Sequence, residues 1–265
     1  MSPPFGYSKI FNNPLDLHLA FLRDVTADVI FIIDLYVQAN NRFPYSFAEI
    51  QCGPAYYAYK FNELGINSIA VDSSNRIINF AKSLDPKESK NITWLKQRPT
   101  NLAIQNVDIC LLPLDSFTYF QNDEEQFQFF DNVYNCLSEG GILIVEMNHP
   151  KDIGYIDYSQ IYALSQKLYP DYLLKVEWGI NNPEFDIVTG IAKTLIRITK
   201  KAKGIKTTRI ISSLERTNFP NAVKLVAEKC SLKVINILGG YHYSPLTWRS
   251  NLQLLVFQKK EGFYA

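Results

Sequence analysis

Ser46-Phe-Ala-Glu-Ile-Gln-Cys-Gly-Pro-Ala-Tyr56 is the stretch on which the fold turns. A short apolar run ends at Glu49, a tight loop containing Gly53 and Pro54 follows, and an amphipathic stretch begins near residue 55. Strand, glycine loop and helix in that order open a doubly wound α/β sheet. A second apolar run, Ile69-Ala-Val-Asp72, closes in a carboxylate roughly 20 residues beyond the glycine. In an open parallel sheet, ligands bind outside the carboxyl ends of the strands, where the strand order reverses. A carboxylate closing the second strand there accepts both hydroxyl hydrogens of a ribose. The loop glycine lets the backbone approach the ligand without a Cβ in the way. The G-x-G-x-x-G that seats a pyrophosphate on a helix N-terminus is absent, which argues against a nicotinamide-dependent oxidoreductase.

Working outward, the alternation continues. Apolar segments at 47–50, 66–71, 92–95, 107–112 and 141–147 are separated by amphipathic stretches at 55–64, 75–84 and 124–137. Strands alternating with helices of this length predict a parallel sheet covered on both faces. Upstream, Leu15, Leu19, Leu22, Val25, Val29, Ile32 and Ile33 recur at helical spacing and predict two helices between 14 and 38, behind an irregular arm at 1–13. Downstream, a helix is expected at 158–168, then antiparallel strands at 173–178, 187–198 and 206–214 with a turn at 201–204. A helix at 220–230, opened by its proline, and strands at 232–238 and 252–258 close the chain. The expected organisation is an arm with helices (1–40), a ligand-binding core (41–150), an antiparallel insertion (151–218) and an αββ unit completing the core sheet (219–265).

The formal charge of +1 supplies no field that favours nucleic acid or an anionic membrane. The cluster Lys200, Lys201, Lys203, Lys206 and Arg209 reads as a solvated hairpin tip. Four cysteines lie scattered, with no C-x-x-C and no neighbouring histidine, so neither a zinc site nor a disulfide framework is expected. No basic stretch followed by an apolar run opens the sequence, and the apolar run at 29–37 is short and broken by Asp34. A cytoplasmic protein without membrane contact is the expectation.

The loop Gln51-Cys-Gly-Pro-Ala55 resembles E-x-G-x-G-x-G, the first motif of class I S-adenosylmethionine (SAM)-dependent methyltransferases, in its GCGPA form. Gly53, Pro54 and Ala55 match, and Asp72 stands where that family's ribose-binding acid stands. Val107-Asp-Ile-Cys-Leu-Leu-Pro-Leu-Asp-Ser-Phe-Thr-Tyr119 is similar to the family's fourth-strand motif, and Leu137-Ser-Glu-Gly-Gly-Ile-Leu-Ile-Val-Glu-Met147 to its L-x-P-G-G turn into strand five. Asn148-His-Pro150 is similar to a small-molecule subgroup in which E-M-S-H-P follows that strand, and Val176-Glu-Trp-Gly179 and Phe185-Asp-Ile187 resemble its insertion. Over about residues 20–258 the resemblance implies an α/β, Rossmann-like, seven-stranded sheet with its seventh strand antiparallel. An N-terminal helical region and an antiparallel β insertion, serving as lid, complete it. It implies SAM as cofactor, S-adenosylhomocysteine as product, and a small-molecule acceptor methylated on O or N. A homodimer or a biosynthetic partner protein fits the insertion by analogy of fold. Nucleic acid does not fit, since the N-P-P-Y of base methylators and an extended basic face are both missing.

The cofactor residues implied are Glu49, Gln51, Cys52, Gly53, Asp72, Ser73, Arg98 and Leu112. Two of them depart from the pattern. Gln51 takes the place of the first loop glycine, at a cost of roughly 1–2 kcal/mol where φ is positive. Arg98, in Leu95-Lys-Gln-Arg-Pro99, replaces the acid that accepts the adenine amino hydrogen; an arginine stacks on a base but offers no acceptor. These departures leave a second reading open, a degenerate methyltransferase fold serving as a binding or scaffold subunit.

Methyl transfer from a sulfonium is an in-line displacement, so the protein must align the reactants and, for a hydroxyl or ammonium acceptor, remove a proton. Histidine suits that task near neutral pH. His149, just past the fifth strand, and His242, in Gly239-Gly-Tyr-His-Tyr243, are the catalytic candidates, while His18 reads as structural. Asp115 and Ser116, after the fourth strand, together with Tyr241 and Tyr243, are candidates for the acceptor pocket. Glu146 reads equally as a site acid or a paired structural carboxylate, Asp28 as helix surface, and Gly140-Gly141 as a structural turn. No metal is expected.

Overall fold

Val107–Leu112 is buried along its whole length because it runs through the middle of the sheet. The computed structural model describes residues 5–153, 172–180 and 184–259. In chain order these form α1 (Pro14–Ala20), α2 (Thr26–Asn40), β1 (Ser46–Ile50), α3 (Tyr56–Glu63), β2 (Asn67–Asp72), α4 (Asn75–Leu84), β3 (Thr93–Lys96), β4 (Val107–Leu112), α5 (Asp123–Cys136) and β5 (Leu137–Asn148). Then come β6 (Tyr172–Trp178), β7 (Glu184–Asp186), β8 (Ile191–Ala202), β9 (Ile205–Arg216), α6 (Pro220–Lys229), β10 (Leu232–Leu238) and β11 (Leu252–Lys259).

The main sheet has the order β10-β11-β5-β4-β1-β2-β3. β1 through β5 are parallel neighbours, and β11 enters antiparallel between β5 and β10. The order reverses between β1 and β4, so the crevice for a ligand opens at their carboxyl ends. Two apolar clusters cover the two faces. One gathers Phe117, Phe129, Phe130 and Val133 with Phe5, Phe11 and Leu17 from the N-terminal segment. The other packs Val29, Ile32 and Tyr36 of α2 and Tyr57 and Phe61 of α3 against Phe47 and Ile144. The lone polar residue of β4, Asp108, is satisfied four times over. It accepts from Arg42, Tyr36, Ser138 and the Tyr45 backbone, which hold its carboxyl at about 2.

A second, antiparallel sheet carries β9, β8, β6 and β7. The β8–β9 hairpin closes on Lys203 and Gly204, whose φ angles of 50° and 77° are those of a two-residue primed turn. Two boundaries differ from the sequence reading. Residues 187–190 do not begin a strand: the Gly190 amide donates to the Asp186 carbonyl and Gly190 takes φ 71°, so the chain turns before β8. β5 begins at Leu137 and runs through Gly140 and Gly141, which lie inside an irregular strand rather than ahead of it. A Cβ on Gly141 would stand 2.8 Å from the Ser138 carbonyl, which explains the glycine there. The helix expected at 158–168 lies outside the described residues. No helix among the described residues is long and apolar enough to cross a membrane.

Candidate active site

Two regions lie side by side at the carboxyl ends of the central strands, one filled by the chain's own residues and one an open cavity. The first is the crevice beyond β1 and β2. Gln51 and Ala55 adopt φ 57° and 61°, so the loop after β1 is built on left-handed backbone at non-glycine positions, with Gly53 at 51° between them. Asp72 ends β2 with its carboxylate turned back to the loop, accepting from the amides of Gly53 (3.3 Å) and Ser74 (2.8 Å). Burial pushes this carboxyl up to about 7 although both amides pull it down. Glu49, also buried, accepts from the Ala58 amide at 2.8 Å and so ties β1 to the first turn of α3; desolvation lifts it to about 8. Cys52 and Leu112 are wholly enclosed. Ser73 accepts from the Phe5 amide at 3.2 Å. Arg98 lies with its guanidinium carbon 5.6 Å from the centre of the Phe5 ring.

The crevice suits a nucleoside in its chemistry. Asp72 presents the carboxylate oxygens that a ribose would need, and Gly53 is open enough that a Cβ there would meet only Leu17, at 3.7 Å. Two buried donors in its wall, Gln51 Nε2 and Arg98 Nε, have no partner. Donors in that position are matched by a ligand that carries acceptors. The residues therefore fit SAM, with Asp72 on the sugar and Gln51 and Arg98 beside it.

The second space is a cavity of about 400 Å³ bounded by both sheets. Asp115, Glu146 and His149 face it from the ends of β4 and β5, while Trp178, Thr194 and Glu215 close it from the antiparallel sheet. Leu114 and Asp115 both adopt left-handed φ angles, 57° and 55°, which turn the Asp115 carboxylate onto Asn148; it accepts from that residue's amide at 3.0 Å and its side chain at 2.7 Å. Desolvation nonetheless holds Asp115 well above the usual carboxylate range, with Glu215 and Glu146 adding repulsion. Glu215 is raised for the same first reason, against hydrogen bonds from Trp178, Ser213 and Thr194. Among the described residues neither Asp115 nor Glu215 has an ion-pair partner within 4.0 Å.

Glu146 is different. Arg23 holds it with Nη1 at 3.3 Å and Nη2 at 3.0 Å, and the Tyr241 hydroxyl donates to it at 2.6 Å. Tyr57 joins the cluster, bonded to Arg23 and donating to Asp28 at 2.9 Å. Asp28 is thus a network member rather than plain helix surface.

Of the expected acceptor-side residues, Asp115 and His149 meet at the cavity, and Tyr241 stands behind Glu146. The His149 ring accepts the Lys151 amide on Nδ1 at 3.0 Å, so the neutral ring carries its proton on Nε2 and acts as a donor. His242 is exposed on the turn after β10, its Nδ1 engaged by the Ser244 amide, and does not line the cavity. Tyr243 is also outside: its hydroxyl bonds to Asp34 and Gln38 on the surface of α2. Ser116 is buried beneath the turn after β4. His18 has its Nδ1 2.7 Å from the Tyr56 hydroxyl. Sequence reasoning missed Arg23, Tyr57 and Glu215. Arg23 falls between two helices and Glu215 lies in an alternating strand, so no local pattern marked either. Among the described residues no cluster of His, Cys, Asp or Glu is arranged to hold a metal ion.

Residues 48–145 match the family model described as "Methyltransferase domain". No curated protein matches the sequence. A SAM-dependent methyltransferase from Clostridium acetobutylicum is similar in structure, at 16% identity over 96% of this chain and 99% of that one, with a TM-score of 0.77. So is the SAM-bound amino pentose methyltransferase CalS10 from Micromonospora echinaspora, at 9% identity over 98% and 99%, TM-score 0.70. The sugar N-methyltransferase KedS8 from Streptoalloteichus is similar at 11% identity over 98% and 95%, TM-score 0.67. At such identities the likeness is one of fold. The chain has the class I methyltransferase fold, and its residues 48–145 match the methyltransferase-domain model.

Proposed function

We propose that this protein is a SAM-dependent methyltransferase whose acceptor is the amine nitrogen of a small molecule. One observation carries the choice of nitrogen: Asp115 and Glu215, from different sheets, face one cavity with no cation within ion-pair distance of either. Two desolvated carboxyls without a counter-ion favour a ligand that brings a positive charge. An ammonium is such a ligand, and a neutral alcohol is not.

SAM, when bound, supplies an electrophilic methyl group on a sulfonium. The chain's residues do the rest. Asp115 and Glu215 receive the ammonium, and a carboxyl raised toward neutrality takes its proton at an oxygen, leaving the nitrogen lone pair free. The same carboxyls are far too weak to deprotonate an alcohol. Tyr119 and Trp178 present ring faces and edges to the cavity, which hold an apolar or sugar-like face and exclude water. His149 donates through Nε2. Arg23 neutralises Glu146, so that two carboxyls rather than three await the cation. CalS10 and KedS8 are described as methyltransferases of an amino pentose and of a sugar nitrogen, which supports the same acceptor class. The test is release of S-adenosylhomocysteine with a panel of amino sugars and their neutral counterparts. Turnover of the neutral sugars alone refutes the nitrogen assignment.

A second reading, a scaffold subunit that binds no cofactor, is favoured by one observation: the protein's own N-terminal residues lie across the crevice. Native mass spectrometry of the purified protein separates the two, since co-purified SAM or its demethylated product excludes the scaffold.

A further inference from the structure

Phe5, Gly6 and Tyr7 cross the nucleoside crevice from one side to the other. Phe5 is 2% exposed. Its amide donates to Ser73 Oγ, the residue after Asp72, and its ring lies under Arg98 and against Phe120, with centroids 5.1 Å apart. A base whose ribose rests on Asp72 has to lie in this same place, beyond the ends of β2 and β3. Gly6 then passes Gln51 at φ 60°, so closely that a Cβ would stand 3.3 Å from Gln51 Oε1 and 3.5 Å from the Tyr119 ring. Tyr7 ends the crossing with its hydroxyl donating to the Leu114 carbonyl at 2.6 Å, after β4. Asp72 is 3% exposed beneath this cover, too enclosed for a ribose hydroxyl to reach it.

We propose that residues 5–7 form an internal plug that occupies the adenosine position and must swing out before the cofactor enters. The inference rests on the reading of the crevice as a SAM site. Its physical basis is substitution of like for like. A flat aromatic ring stacks under a guanidinium where an adenine face would stack, and a backbone amide takes the hydroxyl of Ser73. The plug is an imperfect mimic. It offers no acceptor to Gln51 Nε2 or Arg98 Nε, both of which stay buried and unbonded beside it. An arriving nucleoside with ring nitrogens and hydroxyl oxygens satisfies donors that the plug leaves bare. Downstream, Phe11 is fully buried and Asn13 caps α1, accepting from the Leu15 amide at 3.1 Å, so the arm pivots ahead of a fixed point. Arg98 thereby acquires a role its chemistry permits, holding a ring face rather than an adenine amino group.

The test uses the full chain and S-adenosylhomocysteine as probe, with calorimetry for affinity and hydrogen exchange for the arm. Phe5→Ala removes the ring, and Gly6→Ala keeps the ring but puts a side chain on left-handed backbone at φ 60°, 3.3 Å from Gln51 Oε1. Both variants are expected to bind the probe about tenfold more tightly than the parent, because the binding-competent fraction rises. In the parent, the probe is expected to speed exchange at the amides of residues 5–7. Weaker binding by Phe5→Ala, with slower exchange in the arm on binding, overturns the proposal and makes Phe5 a wall of the site. Equal affinity in all three proteins also overturns it while leaving the SAM reading intact. Failure of all three to bind removes both.

Discussion

Arg23 and Glu146 form a two-point ion pair, Nη1 to Oε1 at 3.3 Å and Nη2 to Oε2 at 3.0 Å, that joins the loop between α1 and α2 to the end of β5. The pair spans the gap between the N-terminal segment and the core sheet. It also removes one negative charge from a cavity that holds three carboxyls.

Breaking that pair from the arginine side leaves a carboxylate that is 7% exposed with only the Tyr241 hydroxyl as partner. Arg23→Ala is expected to destabilise the protein by about 2–3 kcal/mol, below the full cost for a buried pair because the arginine is partly solvated. Glu146→Gln is expected to cost less, since an amide retains bonding without stranding a charge. Urea denaturation of both single variants and the double variant measures the coupling; additive losses refute it.

Stability is expected to fall as pH rises from about 4 to about 8. Asp72 is raised to about 7 and Glu49 to about 8, so both bind a proton in the folded protein that the unfolded chain gives up near 4. Their contribution is fully present below the unfolded value and is lost through the folded value, an effect on the order of a few kcal/mol. Asp108, held at about 2, works in the opposite direction but only at lower pH. Thermal melts from pH 5 to pH 8 check the slope, and Asp72→Asn is expected to flatten it while abolishing nucleoside binding.

Asp115→Asn and Glu215→Gln each remove a proton acceptor from the cavity. Either change is expected to lower kcat/KM for an amine acceptor by about a hundredfold or more, with affinity for S-adenosylhomocysteine unchanged. Both variants should melt higher at pH 8 than the parent, because each deletes a desolvated charge. Unaltered turnover in both variants rules the pair out as the proton acceptor.

Gln51 occupies left-handed backbone at φ 57° and leaves its Nε2 buried without a partner. Gln51→Gly relieves both and is expected to stabilise the protein by about 1 kcal/mol. It also clears the side chain against which Gly6 rests. A loss of stability on chemical denaturation contradicts this account.

The sequence by itself determined the sheet, because periodicity and turn chemistry are local. The strand ends at Glu49 and Asp72, the loop glycine at 53 and the apolar run of β4 need no tertiary information to be read. Gln51 belongs to the same class: a glycine position filled by glutamine predicted a strained φ, and 57° is what the backbone adopts. Acceptor-side residues were less legible. Asp115 and His149 line one cavity because strand ends converge on one edge of a parallel sheet. His242 and Tyr243 sit on an equally plausible turn, yet the chain directs them to the surface beside α2. Arg23 reaches Glu146 across 123 residues of sequence, Glu215 joins from the antiparallel sheet, and Phe5 fills the crevice from a stretch with no periodicity at all. Such contacts depend on how the antiparallel sheet and the N-terminal arm fold back onto the core. Their partners are distant in sequence, so only the assembled tertiary structure decides which charges are left unpaired and which groove is filled.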